Sequence, residues 1–272
     1  MTSQAVRRQP HPALRGLVTT YHGYHYAGMA AGVHHGLPST ELTVVLAFDE
    51  PIDVAWQSDA ASRGRHWAMA SGLHTRPALI RHTGFQHGIQ LGLTPRGARV
   101  LLGLPAAGLA ATMVPLEQLV AGQLYDEVAG APSWEQRFRA LDRHLVALAR
   151  DRHGQRIRSE LLWAWARLER TSGAVRVDRL ADEIGWSRRH FSAQFGAEFG
   201  LAPKQAARVL RFQRARDLLL GPAPAGLADV AARCGYADQA HLTRDWRELS
   251  GYSPTQWRRE ELPFLQDAAA AG

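Results

Sequence analysis

Two short polar stretches carry side chains suited to hydrogen-bonding or touching the edges of bases. The first presents Arg188, Arg189, Ser192 and Ala193, and the second Gln239, Ala240, Thr243 and Arg244. A guanidinium can fork onto guanine, a carboxamide onto adenine, and a threonine can bond a base or touch the thymine methyl. Ser187, Lys204, Arg208 and Arg211 add groups of the kind that meet phosphate oxygens. Reading a duplex this way requires the side chains to project from a helix, because the major groove is about 12 Å wide and admits one.

The surrounding sequence supplies such helices twice. Leu180-Ala181 leads to Gly185-Trp186, then Ser187 and a polar segment whose Phe191, Phe195 and Phe199 recur every four residues. Val230-Ala231 leads to Gly235-Tyr236, then a polar segment with Leu242 and Trp246. Gly200-Leu201-Ala202-Pro203 ends the first copy, and Gly251-Tyr252-Ser253-Pro254 ends the second. A short apolar-faced helix, a glycine turn and a second helix make a helix-turn-helix. Asp178 and Ser187 are candidate caps. The offset between copies is 50 residues up to the aromatic and 51 afterwards, so one residue enters the second turn near Asp238-Gln239. The apolar side of a linking helix is marked by Ala207, Leu210, Ala215, Leu218 and Leu219. Two such units on one face can enter successive major grooves about 34 Å apart. A generic bundle with a solvated Arg face is the bland alternative, and a repeat sharing all these landmarks argues against it.

Residues 157–259 resemble the DNA-binding domain of the AraC/XylS family of bacterial transcription regulators. The resemblance rests on Leu180-Ala181, Gly185, Ser187, Phe195, Gly200-x-x-Pro203, Arg211, Ala215 and Leu218-Leu219. It continues through Val230-Ala231, Gly235-Tyr236, Leu242, Trp246 and Gly251-Tyr252-Ser253-Pro254. Trp246 stands where Phe is usual, and Ala240 and His241 replace commoner small polar residues, which touches base preference. The resemblance implies double-stranded DNA as partner and a regulator of transcription, more often an activator, with RNA polymerase a possible partner. It also implies an N-terminal domain that senses a small-molecule effector, forms a homodimer, or both. The stretch from Gly88 to Leu119 is similar to a subset of the family with an uncharacterised N-terminal domain.

That N-terminal region reads as β-rich. Residues 42–48, 52–56, 67–71, 78–82 and 86–93 are short apolar or β-branched runs separated by Gly, Pro, Ser and Asp. His82-Thr83-Gly84-Phe85 has the composition of a hairpin connection. After Pro95 the period becomes helical, with short pieces at 96–102, 115–119 and 124–128 and a longer helix from Trp134 to about Arg150 capped by Ser133. Its stripe of Phe138, Leu141, Leu145 and Leu148 can pack on the N-terminal domain or form a coiled-coil seam with a second chain. The expected fold class is α+β in two domains. A β barrel or sandwich with appended helices comes first, then an all-α part with two helix-turn-helix lobes on a linking helix. The expected boundaries are 1–150 for the β-rich domain, 151–156 for a linker, 157–262 for the DNA-binding domain and 263–272 for a tail.

Composition sets the outer limits. At 272 residues and 46% hydrophobic, the chain can build two cores. No apolar run reaches about 18 residues, so no membrane span is expected, and the first residues lack the apolar core of a signal peptide. A single cysteine, Cys234, excludes an internal disulfide and fits the cytoplasm. The net charge is +7, and residues 157–259 carry 17 basic against 11 acidic side chains, which suits a polyanion.

Enzyme chemistry finds little support. The N-terminal half holds nine of the 13 histidines, including His22-x-x-His25 and His34-His35, with Glu41 nearby. Strand alternation puts His22 and His25 on opposite faces, so no metal is expected. Nucleophile elbows, phosphate loops and dinucleotide fingerprints are missing, and the N-terminal region lacks the cysteine that a fused alkyl transferase would need. No cofactor or catalytic residue is therefore assigned. The competing reading is a ligand- or metal-handling N-terminal enzyme with an accessory DNA-binding domain.

Overall fold

The protein's structure, a computed structural model, describes residues 3–120, 122–152, 154–221 and 225–260. The expected tail at 263–272 and the loop at Pro222 and Pro224 lie outside them.

Among the described residues ten strands form two sheets. They are β1 (Gln4–Arg8), β2 (Val18–Tyr26), β3 (Gly32–Gly36), β4 (Leu42–Ala47), β5 (Ile52–Trp56), β6 (Asp59–His66), β7 (Ala68–Ser71), β8 (Ala78–His82), β9 (Gln86–Leu93) and β10 (Met113–Pro115). One sheet runs β1-β2-β9-β4-β7-β10 and the other β3-β8-β5-β6. β4 is apolar apart from Thr43 because both its faces are covered. Val45 meets Val54, Trp56, Met69 and Ala78 between the sheets, while Leu42, Val44 and Leu46 face the larger core. β6, with the sequence Asp59-Ala60-Ala61-Ser62-Arg63-Gly64-Arg65-His66, is an edge strand without an apolar run.

The residues at 82–85 do not make the hairpin their composition suggested. β8 lies between β3 and β5, and β9 between β2 and β4, so the connection crosses from one sheet to the other. Both edges of each strand are already taken. Gly84 is needed at the crossing, where φ is +101° and a Cβ would sit 2.2 Å from the Met29 carbonyl oxygen.

The helices are α1 (Pro95–Gly97), α2 (Leu124–Gly130), α3 (Trp134–Asp151), α4 (Ser159–Arg170), α5 (Val177–Glu183), α6 (Arg188–Phe199), α7 (Pro203–Leu220), α8 (Leu227–Arg233), α9 (Gln239–Ser250) and α10 (Pro254–Glu260). A π-helical turn, Ala98–Leu102, continues α1, and a 3-10 turn covers Ala106–Leu109. The helix expected at 115–119 is shorter: Pro115 closes β10, and Leu116–Gln118 form a single 3-10 turn.

The α3 stripe resolves the choice left open by sequence. Phe138, Leu141 and Leu145 are buried, and Leu148 packs on the same core. Phe138 stacks on Tyr21 at 5.7 Å, and β2 approaches so closely that a Cβ at Gly23 would sit 2.7 Å from the Trp134 ring. The stripe is engaged within the chain, so the coiled-coil seam is overturned. Asp142, on the same helix, accepts from the Tyr21 hydroxyl at 3.0 Å, the His11 amide at 2.9 Å and the Arg8 guanidinium at 3.0 Å.

One buried histidine gives this domain an acid limit. His74 is 9% exposed, lies 4.7 Å from the Trp56 ring, and its Nδ1–H donates to the Arg76 carbonyl at 2.6 Å. Burial pushes it down to about 4, against an upward pull from that carbonyl. The folded value lies below the unfolded 6.5, so the unfolded chain takes the proton first and stability is lost as pH falls from about 6.5 towards 4. We expect His74 to remove about 2 kcal/mol between pH 7 and pH 5. Urea unfolding at both pH values checks this. A slope unchanged in His74→Gln would contradict it.

Candidate nucleic-acid interface

The two copies close their turns with the same hydrogen bonds. In the first, Gly185 has φ +73°, its N–H donates to Asp182, and the Trp186 N–H donates to Ala181 at 2.9 Å. In the second, Gly235 has φ +75°, its N–H donates to Ala232, and the Tyr236 N–H donates to Ala231 at 2.9 Å. This is the Schellman closure, and the left-handed residue at its centre explains both glycines.

The next helices are capped by side chains. Ser187 Oγ accepts from the His190 amide, and Asp238 accepts from the His241 amide. Asp178 does not cap α5: the helix starts one residue earlier, and the carboxylate pairs with Arg176 while accepting from the Arg179 amide. Those contacts hold the Asp178 carboxyl well below the usual carboxylate range. The inserted residue also moves. Ser187 follows Trp186 directly, whereas Ala237 separates Tyr236 from its cap Asp238. Gln239 therefore occupies the helix position of Arg188, Ala240 that of Arg189, Thr243 that of Ser192, and Arg244 that of Ala193.

Phe191, Phe195 and Phe199 are fully buried beneath α6, and Leu242 and Trp246 beneath α9. That burial turns the other faces outward. Arg188, Arg189, Ala193, Gln239, Ala240 and Arg244 are exposed. Ser192 and Thr243 are half-buried, and the Thr243 hydroxyl donates to the Gln239 carbonyl at 2.9 Å. Both helices border one cleft of about 620 Å³, lined by Arg176, Arg188, Lys204, Arg211, His241 and Asp245 among others. Arg176 belongs to this basic cleft although it was not singled out in the sequence, and His241, noted there as a departure at a base-preference position, lines it too. A cation just ahead of α5 was the available signal for Arg176.

The phosphate candidates divide by their partners. Lys204 is exposed at the start of α7. Ser187 is engaged as a cap. Arg208 bonds Asp245 at 2.9 Å and also Glu248, tying α7 to α9. Arg211 donates to the Gly173 carbonyl at 3.4 Å and lies 5.8 Å from the centre of the Tyr236 ring. Cys234 is buried in the core of the second lobe, and burial pushes its thiol up, away from the reactive thiolate.

The N-terminal domain touches both lobes at the far ends of these helices. Arg99 binds Glu198 through Nε–Oε1 at 3.0 Å and Nη2–Oε2 at 2.5 Å. His35 Nδ1 donates to the Ser250 carbonyl at 2.6 Å, and its ring stacks on Tyr252 at 4.2 Å.

A family profile described as a helix-turn-helix domain matches residues 180–260. The HTH-type transcriptional activator RhaS of Escherichia coli O9:H4 (strain HS) is 33% identical over 109 residues, which is 40% of this chain and 38% of RhaS. The chain thus spans well under half the length of this curated relative. ToxT from Vibrio cholerae superposes with a TM-score of 0.53 at 8% identity, over 87% of this chain and 97% of ToxT. Wild-type ToxT of Vibrio cholerae strain SCE256, solved with unsaturated fatty acid bound, gives 0.53 at 9% identity over 92% and 96%. At such identity these two comparisons concern the fold, which is shared across both domains.

Proposed function

We propose, from the premise that this chain belongs to the AraC/XylS family through its C-terminal helix-turn-helix domain, that it is a sequence-specific DNA-binding regulator of transcription. The observation that carries this is the pair of capped helices, α6 and α9, each turning an exposed polar face outward, with Arg188 of α6 and His241 of α9 lining one basic cleft. Arg188, Arg189, Ser192 and Ala193 read one half-element. Gln239, Ala240, Thr243 and Arg244 read the other. Since these sets differ at equivalent helix positions, the site of one chain is two unlike half-elements in fixed order. Lys204 and Arg211 face the backbone, and Ser187 brings the start of α6 to it. Arg208 instead holds α7 against α9.

The activity we assign is activation, in keeping with RhaS, with RNA polymerase as the further partner. Residues 1–150 serve as the sensor, through a small-molecule effector or a second copy of the chain, and residues 157–262 as the DNA-binding domain. Among the described residues no helix is long and apolar enough to cross a membrane, which accords with a cytoplasmic regulator. We assign no catalysis. Stoichiometric metal together with turnover in purified protein would favour the enzyme reading instead.

Selection of bound sequences from random DNA, followed by titration on the selected site, tests the function. Affinity is expected to fall steeply with salt, as released counterions require. Arg189→Ala and Arg244→Ala are each expected to cost about 1–3 kcal/mol on the selected site and to relax preference at one position. Equal losses on selected and random DNA would assign both side chains to phosphate.

A further inference from the structure

The two lobes are anchored differently. The first shares a continuous core with the N-terminal domain, in which Phe195, Phe199 and Leu201 join Leu102, Ala106 and Leu109. The second has its own core of Val209, Phe212, Trp246 and Trp257, to which the N-terminal domain contributes the flank of Leu37. The linking helix α7 packs into both cores, with Ala206, Ala207 and Leu210 in the first and Val209, Phe212 and Ala215 in the second, and its polar side chains add ties across the lobes. Arg208 pairs with Asp245 and Glu248, and Arg214 bonds the Ser172 hydroxyl at 3.2 Å. The Glu248 and Ser172 contacts are exposed and constrain geometry weakly, while the Arg208–Asp245 pair is half-buried.

A second constraint comes from the opposite side. α6 and α9 each end in a left-handed glycine, Gly200 at φ +76° and Gly251 at φ +81°. Both equivalent ends are seated on the N-terminal domain. A Cβ at Gly200 would lie 2.4 Å from the Ala110 Cβ, and one at Gly251 would lie 2.8 Å from both His35 and Gln57. The Arg99–Glu198 pair fastens the first seat, and the His35 stack on Tyr252 with its bond to Ser250 fastens the second.

We infer that His35, Gln57 and Arg99 determine the spacing of the DNA site although none of them reads a base. By gripping both helices at their C-terminal ends, the N-terminal domain fixes the angle and separation of the two reading ends. Each helix has 12 residues, a length of about 18 Å. A tilt of about 10° at the gripped end therefore moves the reading end by about 3 Å, close to the 3.4 Å rise of one base pair. Release of the second seat lets the second lobe accept neighbouring spacings. This inference rests on the DNA-reading function proposed above.

The test uses the full chain and a DNA library that joins the two selected half-elements through gaps differing by one base pair. Wild type is expected to prefer one gap by about tenfold over its neighbours, as a shift of one base-pair step at a rigid pair of heads implies. In His35→Ala/Gln57→Ala the preference should fall to about twofold or less, with base preference inside each half-element unchanged. Gly251→Asn tolerates the left-handed backbone but pushes against His35, and it should broaden or shift the preferred gap in the same assay. Unfolding curves identify which variants remain folded. A wild-type gap profile in both folded variants would overturn the inference. Should wild type select no sequence at all, the DNA-reading function fails and the inference with it. Selection of each half-element with no preferred gap overturns the inference alone.

Discussion

Trp246→Ala is expected to remove about 3–5 kcal/mol from the second lobe and to abolish protection of one half-element while the other stays occupied. Trp246 is fully buried, with the Phe212 ring at 4.8 Å and the Trp257 ring at 5.4 Å. Truncation leaves a cavity at the meeting point of α7, α9 and α10, between the Phe212 and Trp257 rings. The damage should stay local, because this core is distinct from the one shared by the first lobe and the N-terminal domain. Urea unfolding followed by Trp fluorescence, together with DNA footprinting, reads both effects. Loss of both half-elements together would mean that the lobes fold as one unit. Trp246→Phe is the informative companion. The Trp246 Nε1 is buried with no hydrogen-bond partner, so Phe removes an unsatisfied donor along with packing area. We expect it to cost less than about 1.5 kcal/mol.

Asp142→Ala should cost about 3 kcal/mol, for a reason unrelated to cavity size. The carboxylate is 7% exposed and receives three hydrogen bonds, from Tyr21, His11 and Arg8. Its removal leaves a buried hydroxyl and an amide without acceptors and a cation without its counter-charge. Arg8 keeps a side-chain exposure of 35% and can turn to water, which holds the loss below that of a fully buried pair. Asp142→Asn retains an acceptor and should lose about half as much. The segment from β1 to His11 is the part this network pins to α3, so amide exchange in β1 should accelerate in step with the stability loss. Unchanged β1 protection in Asp142→Ala would contradict this account.

Most of the helix-turn-helix part was legible in the chain. Gly185 and Gly235, the cap Ser187, and the four-residue spacing of Phe191, Phe195 and Phe199 act within a turn or two of helix. Local sequence therefore specifies them. The insertion was found one residue away from its true place, at Ala237, because an offset between copies dates the change only to the interval between two landmarks. Asp178 misled because a capping residue in the first turn looks the same in sequence as one at the cap itself. In the N-terminal domain the apolar runs of β4, β5, β7, β8 and β9 stood out. β6 is an exposed edge, and β2 mixes Tyr and His with Gly, so neither carries an apolar signal.

The sequence by itself determined that two helix-turn-helix units exist, where their helices begin and end, and which side chains face away from their cores. Those properties follow from hydrogen bonds and packing between residues near one another in the chain. Only the tertiary structure decided that the connection at Gly84 changes sheets, that the α3 stripe turns inward, and that Arg208 is tied to Asp245 and Glu248. It also decided that Gly200 and Gly251, written in the sequence simply as two helix stops, are the seats of a second domain. The partners in these cases come from distant parts of the chain, His35 and Ser250 being 215 positions apart. A side chain's type and spacing state what it can bond, but which partner takes that bond is settled only when the distant surface is in place.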